Sequence, residues 1–169
     1  MGKTGTVLED LAVSALAGSL GTKAMEPVSM KLYQLEPEQA RTQEDEVRPG
    51  APFQIAAEKT TRLLGLDLND QQMQKASMAF HYGLAISWAP LYALLRRRGQ
   101  LRPISAGLAM GSAMSLIADE MLTPALGFSA PNRAYPLVTH VRGYVAHLAF
   151  GLAVAGVTEA SWYLRRRCP

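Results

Sequence analysis

One cysteine, Cys168, and three histidines stand in a chain of 169 residues. A single thiol cannot close an internal disulfide, so the chain has no disulfide scaffold, no Cys-pair metal spacing and no testimony about redox compartment. Cys168 reads as a free tail thiol. Gly-rich phosphate loops and nucleophile elbows are missing too, and Gly2-Lys3-Thr4 lacks the loop that precedes the lysine of a phosphate-binding motif, so it reads as a flexible, cytoplasmic start. No motif of a soluble enzyme rises above noise, which points away from an enzyme, and no feature names a cofactor. A cleavable secretory signal is not expected either, because the first apolar run begins after Glu9 and Asp10 and continues into charge instead of ending at a small-residue site. Charge is sparse, at 18% of residues, while 49% are apolar.

What charge there is lies in blocks. Arg96, Arg97, Arg98 and Arg102 form one, Arg165, Arg166 and Arg167 another, and residues 36–75 hold a mixed, mostly acidic stretch. Between them lie apolar runs near the ~20 residues needed to cross a hydrocarbon layer of ~30 Å. The pattern predicts a single all-α membrane domain over 1–169, a four-span transmembrane helical bundle with spans at about 11–35, 74–95, 103–126 and 140–164. Pro27 should kink the first span, Asn69 or Asp70 should cap the lead-in to the second, and Pro103 suits a helix start. Residues 36–73 form a long, partly helical external loop. Gln43 to Glu46 and Pro49-Gly50 read as its solvated half, and Phe53, Ala56, Ala57, Thr60, Leu63 and Leu64 as a short amphipathic helix on the interface or on the bundle.

Orientation follows from the arginines, since short basic loops stay on the cytoplasmic side. Both termini are then cytoplasmic and the acidic 36–75 stretch external, with the lipid bilayer as the first partner. Aromatic residues fit the same frame as interfacial belts, with Trp88, Tyr92, Trp162 and Tyr163 toward the inner ends and Phe80, Tyr82, Phe128, Tyr135 and Tyr144 toward the outer ends. The net charge of +3 becomes a topology signal. No nucleic acid is expected as partner, because both arginine blocks abut apolar spans.

The charges inside the spans carry the functional reading, because ionisable groups in hydrocarbon need a partner, a wet cavity or a role. Counting at ~1.5 Å per helical residue from the flanking charges puts Glu26, His81, Asp119 and His147 in one outer-leaflet layer, roughly 22 to 27 Å from the inner end. Lys23, Glu120 and His140 join them as candidates for binding or relay. Glu159 falls near the inner arginines and should pair with them. The blander reading of each is local: Lys23 and Glu26 as an i, i+3 ion pair, Asp119 and Glu120 at a helix end, each histidine as a hydrogen-bonded core residue. Asp119 and Glu120 both reach one site only if the helix ends or unwinds near Thr123-Pro124, since consecutive α-helical residues point about 100° apart. Should a metal be held, His81, Asp119 and His147 are its candidates.

Gly107 and Gly111 form a Gly-x-x-x-Gly on the third span, a close-approach face that suits contact within the chain, with a second copy or with a membrane-complex partner. The stretch Asp119-Glu120-Met121-Leu122-Thr123-Pro124-Ala125-Leu126-Gly127-Phe128, followed by Pro131, Tyr135-Pro136, His140, Gly143, His147 and Gly151, resembles the YagU-like bacterial inner-membrane proteins, as does His81-Tyr82-Gly83 with Trp88 and Tyr92. That family has no established activity. The resemblance implies location and fold, and that Asp119, Glu120, His140 and His147 form one unit joined by the outer loop. Three functions stay open: proton or cation binding and relay by the polar layer, a structural or accessory subunit of a membrane complex, and a metal- or haem-binding bundle.

Overall fold

The computed structural model describes residues 3–167, so Gly2 and Cys168 lie outside the described residues. The described chain is all-helical: α1 (Lys3–Leu35), α2 (Glu38–Val47), α3 (Pro52–Leu63), α4 (Asp70–Arg97), α5 (Pro103–Ala113), a π-helical stretch Met114–Leu122, α6 (Thr123–Ala125), a 3₁₀ turn Asn132–Ala134 and α7 (Leu137–Arg167). α5, the π-helix and α6 make one continuous rod, because Met114 and Thr123 at the two junctions keep right-handed helical angles. Lys3 and Thr4, expected to be flexible, begin α1, and α1 runs through Pro27 to Leu35. Asn69 caps α4 reciprocally with Gln72, and Pro103 sits in the first turn of α5.

Two helices, Asp70–Arg97 and Leu137–Arg167, are long and apolar enough to cross a membrane, with mean hydropathies of 1.2 and 1.3. The other two long rods do not meet that measure, so the sequence expectation of four spans is met by two.

The long helices pack through small residues. α7 lies against α1 and α5, and α1 against α4. On α1 the inward face is Ser14, Ala17, Gly18, Gly21 and Thr22, all buried, at the spacing of one helical stripe. A Cβ on Gly18 would meet the Ala85 carbonyl at 2.8 Å, and one on Gly21 the Phe150 ring at 2.8 Å. Lys23 and Glu26 fall off this stripe and are exposed, a correction to the expectation that they join His81, Asp119 and His147 in one polar group. Close helix approach requires the small residues on the contact face. Between α5 and α7 the backbones touch: a Cβ on Gly107 would meet the Gly151 carbonyl at 2.7 Å, and one on Gly111 the His147 carbonyl at 2.2 Å. Gly107 and Gly111 are therefore engaged within the chain, the first of the three contacts this face suits.

The arginine-rich end gathers the start of α1, the end of α4, the start of α5 and the end of α7. Arg96 Nε donates to Glu159 at 2.5 Å and Nη1 to the Leu101 carbonyl at 2.7 Å, while the Tyr92 hydroxyl donates to the same carboxylate at 2.9 Å. Tyr92 is fully buried in this arrangement, not a member of an exposed aromatic belt, because its hydroxyl is needed by Glu159. Arg97 grips Asp10 at 2.7 and 3.1 Å and stacks over Trp162. The Arg97 hydrogen bond, reinforced by Arg165, holds the Asp10 carboxyl below the usual carboxylate range. A lowered folded pKa means that this contribution is present at neutral pH and is lost as the pH falls through it; half-exposed pairs of this kind contribute little each.

The first half of the external segment departs from expectation. Residues 38–47 form a helix, and Glu44, read from sequence as solvated, is fully buried. In α3, Ala56, Ala57 and Thr61 are buried as an amphipathic helix requires, but Leu63 and Leu64 turn out to solvent at 87% and 66% exposure.

The glycine seam predicts an asymmetric response. Gly151→Ala sets a Cβ 2.1 Å from the Gly107 carbonyl and is expected to cost about 1–3 kcal/mol, as overpacking does. Gly156→Ala, on the same helix with nothing within 4 Å, should gain up to about 1 kcal/mol from helix propensity. Thermal unfolding of the detergent-solubilised chain compares the two, and equal shifts would contradict the packing described.

Candidate functional site

Away from the arginine end, the helices leave a cavity of about 540 Å³. Thr22, Met25 and Ser29 of α1, the Phe80 to Ala85 turn of α4, the π-helix and the first half of α7 wall it, and Phe53 and Ala56 of α3 close over it. Of the residues singled out from sequence, His81, Asp119, Glu120, His140 and His147 border this one cavity, while Lys23 and Glu26 do not. Lys23 and Glu26 stand near Tyr82 and His81 on the outside of α1, and among the described residues they form no ion pair with each other within 4 Å.

The π-helix lets neighbours share a site. Bonding i→i+5 winds an extra residue into each turn, so Asp119 and Glu120 diverge less than α-helical neighbours do, and both reach the cavity edge. Thr123 follows the wider register, its Oγ1 donating to the Ala118 carbonyl at 2.8 Å. Pro124 brings no N–H to the preceding turn, and Asn132 Nδ2 supplies a donor to the Glu120 carbonyl at 2.8 Å. The expected unwinding is thus a widening of the helix that begins before Thr123-Pro124.

Each Glu120 oxygen has a partner. Its Oε2 accepts from Asn132 Nδ2 at 2.9 Å, and its Oε1 lies 2.8 Å from His140 Nδ1. His140 Nε2 lies 3.1 Å from the Asn132 carbonyl, which can only accept, so Nε2 carries a hydrogen. A further proton then sits between Nδ1 and the carboxyl: on the ring, as an ion pair, or on the acid. Asp119 differs. His147 Nδ1 donates to the carbonyl of Gly143 at 2.8 Å and lies 3.4 Å from Asp119 Oδ2, and the Asp119 side chain is 40% exposed. His81 lies face to face with Phe53, ring centroids 4.5 Å apart. Among the described residues no three His, Cys, Asp or Glu side chains stand close enough to hold a metal ion. The set His81, Asp119 and His147 is therefore not assembled as ligands, because Phe53 covers one imidazole and a backbone carbonyl holds Nδ1 of the other.

A second polar cluster at the cavity edge has no counterpart in the sequence reading. Arg142 Nη1 donates to both Glu36 oxygens at 2.8 Å, and Nη2 to both Glu44 oxygens at 2.7 and 2.8 Å. Arg48 pairs with Glu44 from one turn along α2, Thr139 Oγ1 donates to Glu44 at 2.8 Å, and the Arg142 guanidinium lies over the Tyr33 ring. The signal that could have found it is Arg142 itself, a cation two residues inside the fourth expected span and thus in need of a carboxylate. α3 is fastened on the far side by Lys59, whose Nζ donates to the Leu126 and Gly127 carbonyls at 2.8 Å each. Gly127 has φ +67°, a left-handed conformation that favours glycine.

Comparison of the chain with protein-family models, with curated proteins and with solved structures returns no match.

Removing one member of the Arg142 cluster leaves charge buried without its partner, and that asymmetry is testable. Arg142→Met is expected to destabilise by about 3–5 kcal/mol, while adding Glu36→Gln and Glu44→Gln to it should recover a large part of the loss. Denaturant unfolding of the single and triple variants measures both; a triple variant no better than the single would contradict the charge argument.

Proposed function

We propose that the chain is a four-span inner-membrane protein whose cavity binds or relays a proton or other cation from the outer side. The observation that carries the reading is Asp119, a carboxyl 40% exposed at the edge of a cavity that His81, His140 and His147 also border. Carboxylates and imidazoles are the usual proton carriers in lipid, and the Glu120–His140 contact already shares a proton across 2.8 Å. A chain of exchangeable groups is thus within reach of a solute in the cavity.

Membrane residence beyond the two apolar helices is supported by where large apolar side chains remain exposed. Leu11, Leu16 and Leu20 on α1, and Leu116, Ile117, Met121 and Leu122 on the π-helix, join Val141, Val145 and Leu152 on α7. In water such surface is costly, and in lipid it is the outer face of a bundle. The start of α1 and the end of α7 lie with the arginine blocks, and the positive-inside rule supports a cytoplasmic position for that end. Likeness of the Asp119 to Phe128 stretch to the YagU-like proteins belongs to the same proposal.

One observation favours the structural or accessory reading: the Arg142 cluster shows that some of the buried charge in this chain is spent on holding helices together. The two readings separate in reconstituted vesicles. Asp119→Asn is expected to lower pH-driven proton flux at least tenfold with an unfolding midpoint near that of the parent, since the Asp119 side chain has a single long contact. Parent-level flux in Asp119→Asn would overturn the relay and leave the structural role. A C-terminal reporter accessible only from the outer side would overturn the orientation.

A further inference from the structure

We infer that the cavity takes a monovalent organic ammonium ion, held by Asp119 against an aromatic wall. The inference rests on the cation reading above and narrows it to a ligand class.

Volume comes first. About 540 Å³ lies within the range of roughly 300–1,000 Å³ typical of small-molecule sites and far exceeds what a dehydrated inorganic ion fills. The walls are predominantly apolar, and Phe53, Phe80, Phe128, Tyr135 and Phe150 put aromatic rings on them. An inorganic cation needs a shell of oxygens in place of water. Here, among the described residues, acidic and imidazole groups do not gather in threes.

Charge comes next. Two arginines reach the lining, Arg48 and Arg142, and both are turned onto Glu44. Glu44 has no capacity left, with two guanidinium groups and the Thr139 hydroxyl on it. Glu120 is taken up by His140 and Asn132. Asp119 remains as the lining carboxylate with the fewest contacts, its side chain 40% exposed and His147, 3.4 Å away, already donating to Gly143. A negative charge at the edge of an apolar, ring-lined space calls for a cation that is itself mostly hydrocarbon. Ammonium ions carrying alkyl groups meet both demands, since ring faces attract them and their surface loses little on leaving water. Anions are disfavoured by the same arrangement, since among the described residues both arginines of the lining are paired with carboxylates.

Binding of choline to the detergent-purified full chain, compared with its neutral isostere 3,3-dimethylbutan-1-ol at fixed ionic strength by titration calorimetry, tests the inference. Choline should bind at least tenfold more tightly than the isostere. Asp119→Asn should weaken choline at least tenfold, Asp119→Glu should restore part of the loss, and Phe53→Leu should weaken it about threefold to tenfold, the scale of one cation–π contact. Equal binding of the isostere, or parent-level choline binding by Asp119→Asn, overturns the inference. Absent choline binding beside intact, Asp119-dependent proton flux overturns the ligand class alone. Loss of both overturns the cation reading with it.

Discussion

Backbone contact between α5 and α7 is the constraint from which the rest of the arrangement follows. Gly107, Gly111 and Gly151 leave no room for a Cβ at the seam, so the two helices approach until carbonyls and Cα atoms touch. That depth of approach fixes the rotation of α7, and His147, whose carbonyl faces Gly111, is held one turn below the π-helix. Asp119 and His147 thus meet because two glycines elsewhere permit it. In lipid, where burying apolar surface gives helices no mutual attraction, such close packing is itself a main source of association. The same device recurs between α1 and α4 at Gly18, which is why α1 shows its small residues inward and its Lys23 and Glu26 outward.

A second constraint acts at the opposite end. Arg142 lies inside α7, and two carboxylates from Glu36 and Glu44 satisfy it only if α2 folds back over the bundle. This explains why an acidic, polar stretch becomes an ordered helix: α2 is held by the cation it must neutralise, not by an apolar face. With α2 in place and α3 pinned through Lys59, Phe53 comes to rest on His81. The cavity is therefore roofed by α3, which packs Ala56 and Ala57 on the bundle and is tied down by Lys59, beside α2, which is held mainly by charge.

Much of the architecture was legible in the sequence because hydrophobic length, proline and asparagine positions and arginine blocks act locally. The ends of α4 and α7, the Asn69 cap and the Glu159 pairing with Arg96 are of this kind. Three of the four residues grouped by counting along the spans, His81, Asp119 and His147, border one cavity, and so do Glu120 and His140, which the resemblance joins to Asp119 and His147. Rotation about each helix axis was not legible by counting, and Lys23 and Glu26 stand exposed on the outer side of α1. Glu44 was missed for a related reason. Its neighbours Gln43, Asp45 and Glu46 have the composition of a solvated loop, and its partner Arg142 lies 98 residues away, beyond any local pattern.

The division of labour among the buried charges follows from how many hydrogen bonds each can make. A carboxylate has about four acceptor sites, and Glu44, with Arg142, Arg48 and Thr139 around it, has filled them. Glu120 uses two of its own, one on Asn132 and one on His140. A group filled as completely as Glu44 holds structure, because losing its charge breaks several bonds at once. Asp119 makes one long contact, to His147 at 3.4 Å, and its side chain is 40% exposed at the cavity edge. Few hydrogen bonds beside open space are what an exchangeable site requires, and of the carboxylates bordering this cavity Asp119 makes the fewest.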